Sequence, residues 1–161
     1  MTVSDSTFGA ERKDTSGEAI AGWCRSCGYA IAAREQVSDE TTRIVPLLAR
    51  LCDSGEVDLV LTTGGTGLSP RDVTPEATRA IIEREAQGIA EYLRASSSAK
   101  FPRAALSRGV AGARGMTLVV NLPGSTSGVT DSLAVLDGII GHAVDVLTGK
   151  FTRHDGGGVN A

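Results

Sequence analysis

Two stretches of this chain are almost unbroken apolar runs. They are VDLVLTT at residues 57–63 and MTLVVNL at residues 116–122. Such runs mark strands covered on both faces, the usual condition in parallel sheets. Met1–Ser4 reads as the end of a further strand, and residues 29–37 alternate well enough for another. Elsewhere the period is helical. Ile20, Trp23, Cys24 and Cys27 predict a helix over 16–27 with Gly28 as its stop. Ile44, Leu48 and Leu51 predict a helix from Ser38 or Asp39 to about Ser54, kinked or late-starting because of Pro46. Thr74 as cap, Pro75 in the first position and Glu76 at the positive end open a helix to about Glu85. A helical segment at 89–96 follows Gly88, with a loop at 96–101. Leu133, Leu136, Ile140, Val144 and Leu147 form the stripe of one long last helix. Residues 8–15 read as a loop, and residues 99–115 fit either a hairpin or a small helix.

Strand–helix alternation predicts an α/β fold with helices on both faces of the sheet. Residues 1–150 form one domain and 151–161 a flexible tail in this reading. At 161 residues, 41% hydrophobic and 22% charged, the chain suits a single core. The formal net charge of −3 argues against a general nucleic-acid or anionic-membrane surface. It leaves room for small anionic substrates where basic groups gather. No run reaches the ~18 apolar residues of a membrane helix, and MTVSDSTFGAERKD lacks an apolar signal core. A soluble cytoplasmic protein is the expectation. Three cysteines cannot all pair, which disfavours a disulfide scaffold.

Ligands of open α/β sheets collect at the carboxyl ends of strands, and two strand ends here carry special chemistry. The first is Gly64-Gly65-Thr66-Gly67. Bare glycines let successive N–H groups curl into a nest for an anion, and a fresh helix start adds to the field. A tight strand-to-helix turn is the plainer account of GGTG alone. Asp72 changes the balance. A carboxylate beside a phosphate nest makes sense with Mg²⁺, which takes one or two carboxylates plus phosphate oxygens. Neither GK[ST] nor GxGxxG is present, so this is neither a Walker loop nor a Rossmann fingerprint. The second strand end, Asn121-Leu122-Pro123-Gly124-Ser125, and the polar Ser4-Asp5-Ser6 are weak signals by themselves. Asp39 reads as a helix cap unless its loop faces the same mouth as Asp72. Arg108 is either a phosphate partner or a solvated surface arginine. WCRSC at 23–27 imitates a thiol-redox motif, but it falls at a helix end whose dipole opposes a thiolate. Buried helix cysteines are the better account.

Together, VSDS (3–6), DTSG (14–17), VSDE (37–40), TTGGTGLSPRDVTPEAT (62–78), LSRG (106–109) and TLVVNLPGS (117–125) resemble the molybdopterin adenylyltransferase family, the Mog/MoaB proteins of molybdenum-cofactor biosynthesis. The resemblance spans nearly the whole chain, and the central string is its most specific part. It implies a three-layer α/β/α sandwich with a mostly parallel sheet, a homotrimer or sometimes a hexamer, and transfer of AMP from Mg·ATP to the terminal phosphate of molybdopterin. It further implies Asp72 as the essential Mg²⁺-binding aspartate and Asp39 as a second important acid. Gly64, Gly65, Thr66 and Gly67 would cradle phosphate, and Ser4, Asp5, Ser107, Arg108, Asn121, Pro123, Gly124 and Ser125 would complete the pterin pocket. A molybdenum-insertion enzyme is a candidate partner. The alternative is a pterin-binding paralogue with little catalysis. Departures from the family pattern are the short first strand, Gln87-Gly88 in place of Pro-Gly, and basic side chains that reduce to Arg71 and Arg108 near the pocket.

Overall fold

The structure, a computed structural model, describes residues 1–8 and 13–150; the tail read over 151–161 lies outside the described residues. Six strands make one sheet: β1 (Thr2–Val3), β2 (Gln36–Val37), β3 (Leu59–Thr63), β4 (Arg84–Glu85), β5 (Ala111–Arg114) and β6 (Thr117–Leu122). Their order is β2-β1-β3-β6-β5-β4. The first four in that order are mutually parallel; β5 pairs antiparallel with both β6 and β4. The helices are α1 (Asp5–Phe8), α2 (Thr15–Ser26), α3 (Thr41–Asp53), α4 (Thr74–Arg79), α5 (Gln87–Ser98), a 3₁₀ turn (Pro102–Leu106), α6 (Thr126–Leu136) and α7 (Ile140–Leu147).

The two apolar runs become the centre of the sheet. β3 and β6 pair in register from Leu59↔Leu118 to Thr63↔Leu122, and every residue of β6 is buried. Because successive side chains point to opposite faces, β6 feeds two cores. Leu118, Val120 and Leu122 pack with Ile20 of α2, Leu93 of α5 and Leu133 of α6. Val119 packs on the other side with Ile44 and Leu48 of α3 and Ala77 of α4. The result is the three-layer α/β/α sandwich.

Several local readings are corrected. Of residues 29–37 only Gln36–Val37 pair as strand, and Tyr29–Arg34 are exposed. Tyr29 and Ile31, the larger apolar members of the alternation, remain exposed, and only the last two residues lie beside β1. α3 starts at Thr41, with Glu40 in the cap position, and carries Pro46 within it. The helix read over 74–85 stops at Arg79, because Arg84–Glu85 pair with β5. Residues 99–115 contain both alternatives, a 3₁₀ turn and one arm of a hairpin closed at Gly115 with φ +54°. The long last helix is two helices, broken between Leu136 and Ile140. Residues 96–98, read as loop, complete α5.

Candidate functional site

Parallel strands bring their carboxyl ends to one edge of the sheet, and all four carry residues singled out above. The register Val3↔Val37 sets Ser4-Asp5 beside Ser38-Asp39. The link is reciprocal: Asp5 N–H donates to Asp39 Oδ2 at 2.9 Å, and Asp39 N–H donates to Asp5 Oδ1 at 3.1 Å. Asp39 is therefore not a helix cap; its carboxylate is aimed across to β1. Arg71 makes an ion pair with Asp5.

The glycine loop leaves β3 with φ +97° at Gly64 and +62° at Gly65, the left-handed region where glycine carries no penalty. Space is equally demanding. A methyl group at Gly64 would lie 2.1 Å from the Val3 carbonyl oxygen, and one at Gly65 would lie 2.4 Å from Thr74 Oγ1 and 3.0 Å from Asp39 Oδ1. At Gly67 it would meet Asp72 Oδ2 at 2.9 Å. The two candidate acids thus overhang the glycine backbone. Asp72 is held by the tight turn before α4: its N–H donates to Ser69 O, and its Oδ2 accepts from Ser69 N–H at 2.9 Å. Thr74, read as a helix cap, is the first residue of α4 instead. Its buried hydroxyl donates to Gly64 O at 2.9 Å and its N–H to Gly65 O at 3.1 Å, tying the loop to the helix.

The β6 loop closes on the same place. Thr63 Oγ1 donates to Pro123 O at 2.6 Å, and a methyl at Gly124 would come within 3.3 Å of Gly64 Cα. Ser125 caps α6 by accepting from Gly128 N–H at 3.2 Å. Ser16 Oγ donates to Gly124 O at 2.9 Å, which gives the DTSG string a place in the same frame. Asn121 is buried and fully engaged: Nδ2 donates to Thr62 Oγ1 and Thr78 Oγ1, and Oδ1 accepts from Val110 N–H. It joins β3, α4 and the start of β5.

A cleft of about 470 Å³ runs past these loops. Gly65, Thr66, Gly67, Asp72, Ser107, Asn121, Pro123, Gly124 and Ser125 all line it. Gly64 packs between β1 and Gly124, and Asp39 reaches the Gly65 rim from the β1–β2 side together with Asp5. Ser4 is half-buried in the turn out of β1. Arg108 is drawn into the scaffold. Its Nε donates to Gly67 O at 2.7 Å, its guanidinium also contacts Asp72 O and Glu76, and its N–H donates to Thr66 O at 2.8 Å. It holds the glycine loop and Asp72 in place. The remaining wall comes from α5 and the 3₁₀ turn, with Arg94, Phe101 and Arg103 on it. Arg71 and Arg108 are thus not the only basic groups near the pocket. The apolar period of α5 concealed this wall, since which face of α5 meets the loops depends on the chain reversal at β4. A larger hollow of about 860 Å³, touching Met1, Ile20, Leu51 and Leu61 at the opposite strand ends, holds none of the candidate site residues.

Electrostatics distinguish the acids. Burial pushes the Asp39 carboxyl above the ordinary carboxylate range; the Asp5 N–H opposes this, the charges of Asp5 and Asp72 add to the rise, and Arg71 offsets part of it. Glu76 is held below that range: partial burial works against this, but the Arg108 hydrogen bond and the helix amides outweigh it. Among the described residues no three His, Cys, Asp or Glu side chains gather as a metal-binding group. A divalent ion here would rest on one or two carboxylates and on substrate oxygens. The all-oxygen donors Asp72 and Asp39, mutually repulsive and beside bare amides, fit Mg²⁺ in that mode. The WCRSC thiols do not fit redox chemistry. Cys24 and Cys27 are half-buried, less than anticipated, at the carboxyl end of α2. Burial raises both thiols, and Cys27 Sγ donates to Asp137 Oδ1 at 3.3 Å.

Residues 1–140 match the model of the probable molybdopterin binding domain family. The chain is 39% identical over 119 residues to the molybdopterin adenylyltransferase of Helicobacter pylori, covering 74% of this chain and 68% of that protein. It is 37% identical over 151 residues to the Drosophila melanogaster molybdenum cofactor synthesis protein cinnamon, covering 91% of this chain but only 25% of that longer protein. The crystal structure of the molybdopterin biosynthesis enzyme MoaB from Thermus thermophilus superposes with a TM-score of 0.87 at 48% identity, covering 92% of this chain and 93% of that one. Fold, strand-end loops and sequence agree: the chain belongs to the molybdopterin-binding domain family of molybdenum-cofactor biosynthesis.

Proposed function

We propose that this protein is a molybdopterin adenylyltransferase, moving AMP from Mg·ATP onto the terminal phosphate of molybdopterin. The observation that carries the reading is the packing of the Gly64–Gly67 and Pro123–Ser125 loops against each other, with Asp72 and Asp39 overhanging the bare backbone. In this reaction a pterin phosphate oxygen forms a bond to the α-phosphorus of ATP, the bond from that phosphorus to the bridging oxygen breaks, and pyrophosphate leaves. Little covalent chemistry falls to the protein, so positioning and charge neutralisation dominate. The glycine-loop amides receive phosphate oxygens. Asp72, fixed by Ser69 and backed by Arg108, holds the divalent ion, with Asp39 as the second acid. That ion supplies neutralisation of phosphate charge. Ser107 and the Pro123–Ser125 turn border the pterin side of the cleft. A homotrimer in the cytoplasm, handing its product to a metal-insertion enzyme, completes the proposal.

The test is turnover of molybdopterin with Mg·ATP. Asp72→Asn should lower the rate by roughly two orders of magnitude or more with an unchanged thermal melt. Equal rates in the two proteins defeat the reading, and pterin binding without nucleotide turnover assigns the chain to a binding paralogue instead.

A further inference from the structure

The cleft must receive several phosphate charges, yet its acids outnumber its available cations. Asp72 and Asp131 line it and Asp39 stands at its rim. The basic groups around it are mostly spent. Arg71 is paired with Asp5. Arg108 is held by Glu76 and two loop carbonyls. Lys100 pairs with Asp131 at 3.0 Å. Arg94, half-buried on α5, donates to Gly109 O at 2.9 Å. Arg103 differs. It lies on the cleft lining at the start of the 3₁₀ turn and is exposed, and its side chain makes no hydrogen bond or ion pair with any described residue. A planar guanidinium with five free donors matches a phosphate bidentately.

We infer that Arg103 is a substrate-binding residue that grips a phosphate group in the cleft. This rests on the adenylyl-transfer reading for the identity of the ligand, but the site is defined by its chemistry: a phosphate or polyphosphate entering between the glycine loop and the 3₁₀ turn. The phosphate belongs either to the nucleotide or to the pterin. Arg103 takes up the role that Arg108 is too engaged to fill, and its removal costs the glycine loop no hydrogen bond or ion pair.

Calorimetry on the whole chain tests this with three probes: Mg·ATP, molybdopterin and inorganic tripolyphosphate. For Arg103→Ala the dissociation constant of at least one phosphate-bearing probe should rise about 10- to 100-fold, the loss of one charged hydrogen-bonded contact. Arg103→Lys should recover part of it, since the charge returns without the fork. The thermal melt should not move. In turnover, KM should rise for the affected substrate while kcat at saturation stays within about threefold. Weakened Mg·ATP assigns the contact to the nucleotide, and weakened molybdopterin assigns it to the pterin phosphate. If Arg103→Ala binds all three probes within about threefold of wild type, or if wild type binds none, the inference is overturned. A wild type that binds through Arg103 but does not turn over removes only the adenylyl-transfer reading.

Discussion

Gly67→Ala separates the site from the scaffold. Gly67 has no left-handed φ, so alanine meets no backbone penalty there. The only nearby atoms in the path of the new methyl belong to the Asp72 carboxyl, Oδ2 at 2.9 Å and Cγ at 3.6 Å. A comfortable carbon–oxygen contact needs roughly half an ångström more. Because the obstacle is the end of a side chain, it yields, and the fold keeps its stability. Asp72 then leaves its Ser69 N–H and the backbone of the loop. A displacement of about 1 Å at a positioning group costs up to ~10²-fold in rate. The expected outcome is a melting temperature within about 2 °C of wild type, kcat lower by roughly 10- to 100-fold, and a higher Mg²⁺ concentration for half-maximal rate. Initial rates of adenylyl-molybdopterin formation across a Mg²⁺ titration, beside a calorimetric melt, give both numbers. Wild-type kcat and Mg²⁺ dependence in a folded Gly67→Ala protein would refute the placement of Asp72 at the reacting centre.

Gly64→Ala should do the opposite. It combines a left-handed φ, costing about 1–2 kcal/mol, with a 2.1 Å approach to the Val3 carbonyl, a backbone atom that cannot swing away. A total near 3–5 kcal/mol lowers the melting temperature by about 10 °C, and a shift under about 2 °C in a thermal melt contradicts this. The Asp39 carboxyl is raised in the folded state above its ordinary 3.8. Its contribution to stability is therefore fully present below pH 3.8 and lost as pH rises through the raised value. Asp39→Asn should be more stable than wild type at about pH 7.5, with the gap closing toward about pH 4, while turnover falls. Urea melts at both pH values and a rate assay check this, and a less stable variant at neutral pH counts against it. Cys24→Ser and Cys27→Ser should leave turnover within about twofold, as raised thiols at a helix carboxyl end predict; a loss of about tenfold in the same assay would reopen a thiol role.

What the sequence by itself determined was periodic or local. VDLVLTT and TLVVNL declared buried parallel strands because both faces are apolar, and β3 and β6 fall within those bounds. The glycines of GGTG and the acid of SPRD were legible only together, because bare glycines alone also fit a plain strand-to-helix turn, whereas a carboxylate beside an anion nest makes sense with a cation. Tertiary structure decided the rest. Arg84–Glu85 are two exposed polar residues, and only pairing with β5 makes them a strand. Asp39 looked like a cap until the β1–β2 register turned its carboxylate toward Asp5. Arg108 looked available until the fold placed Glu76 and two loop carbonyls around it, whereas Arg103 acquired its place from a wall no local pattern predicts. Hydrophobic period reports which side of an element avoids water. It does not report which distant element covers that side, and a partner many residues away is what makes a charged group either part of the frame or free for a ligand.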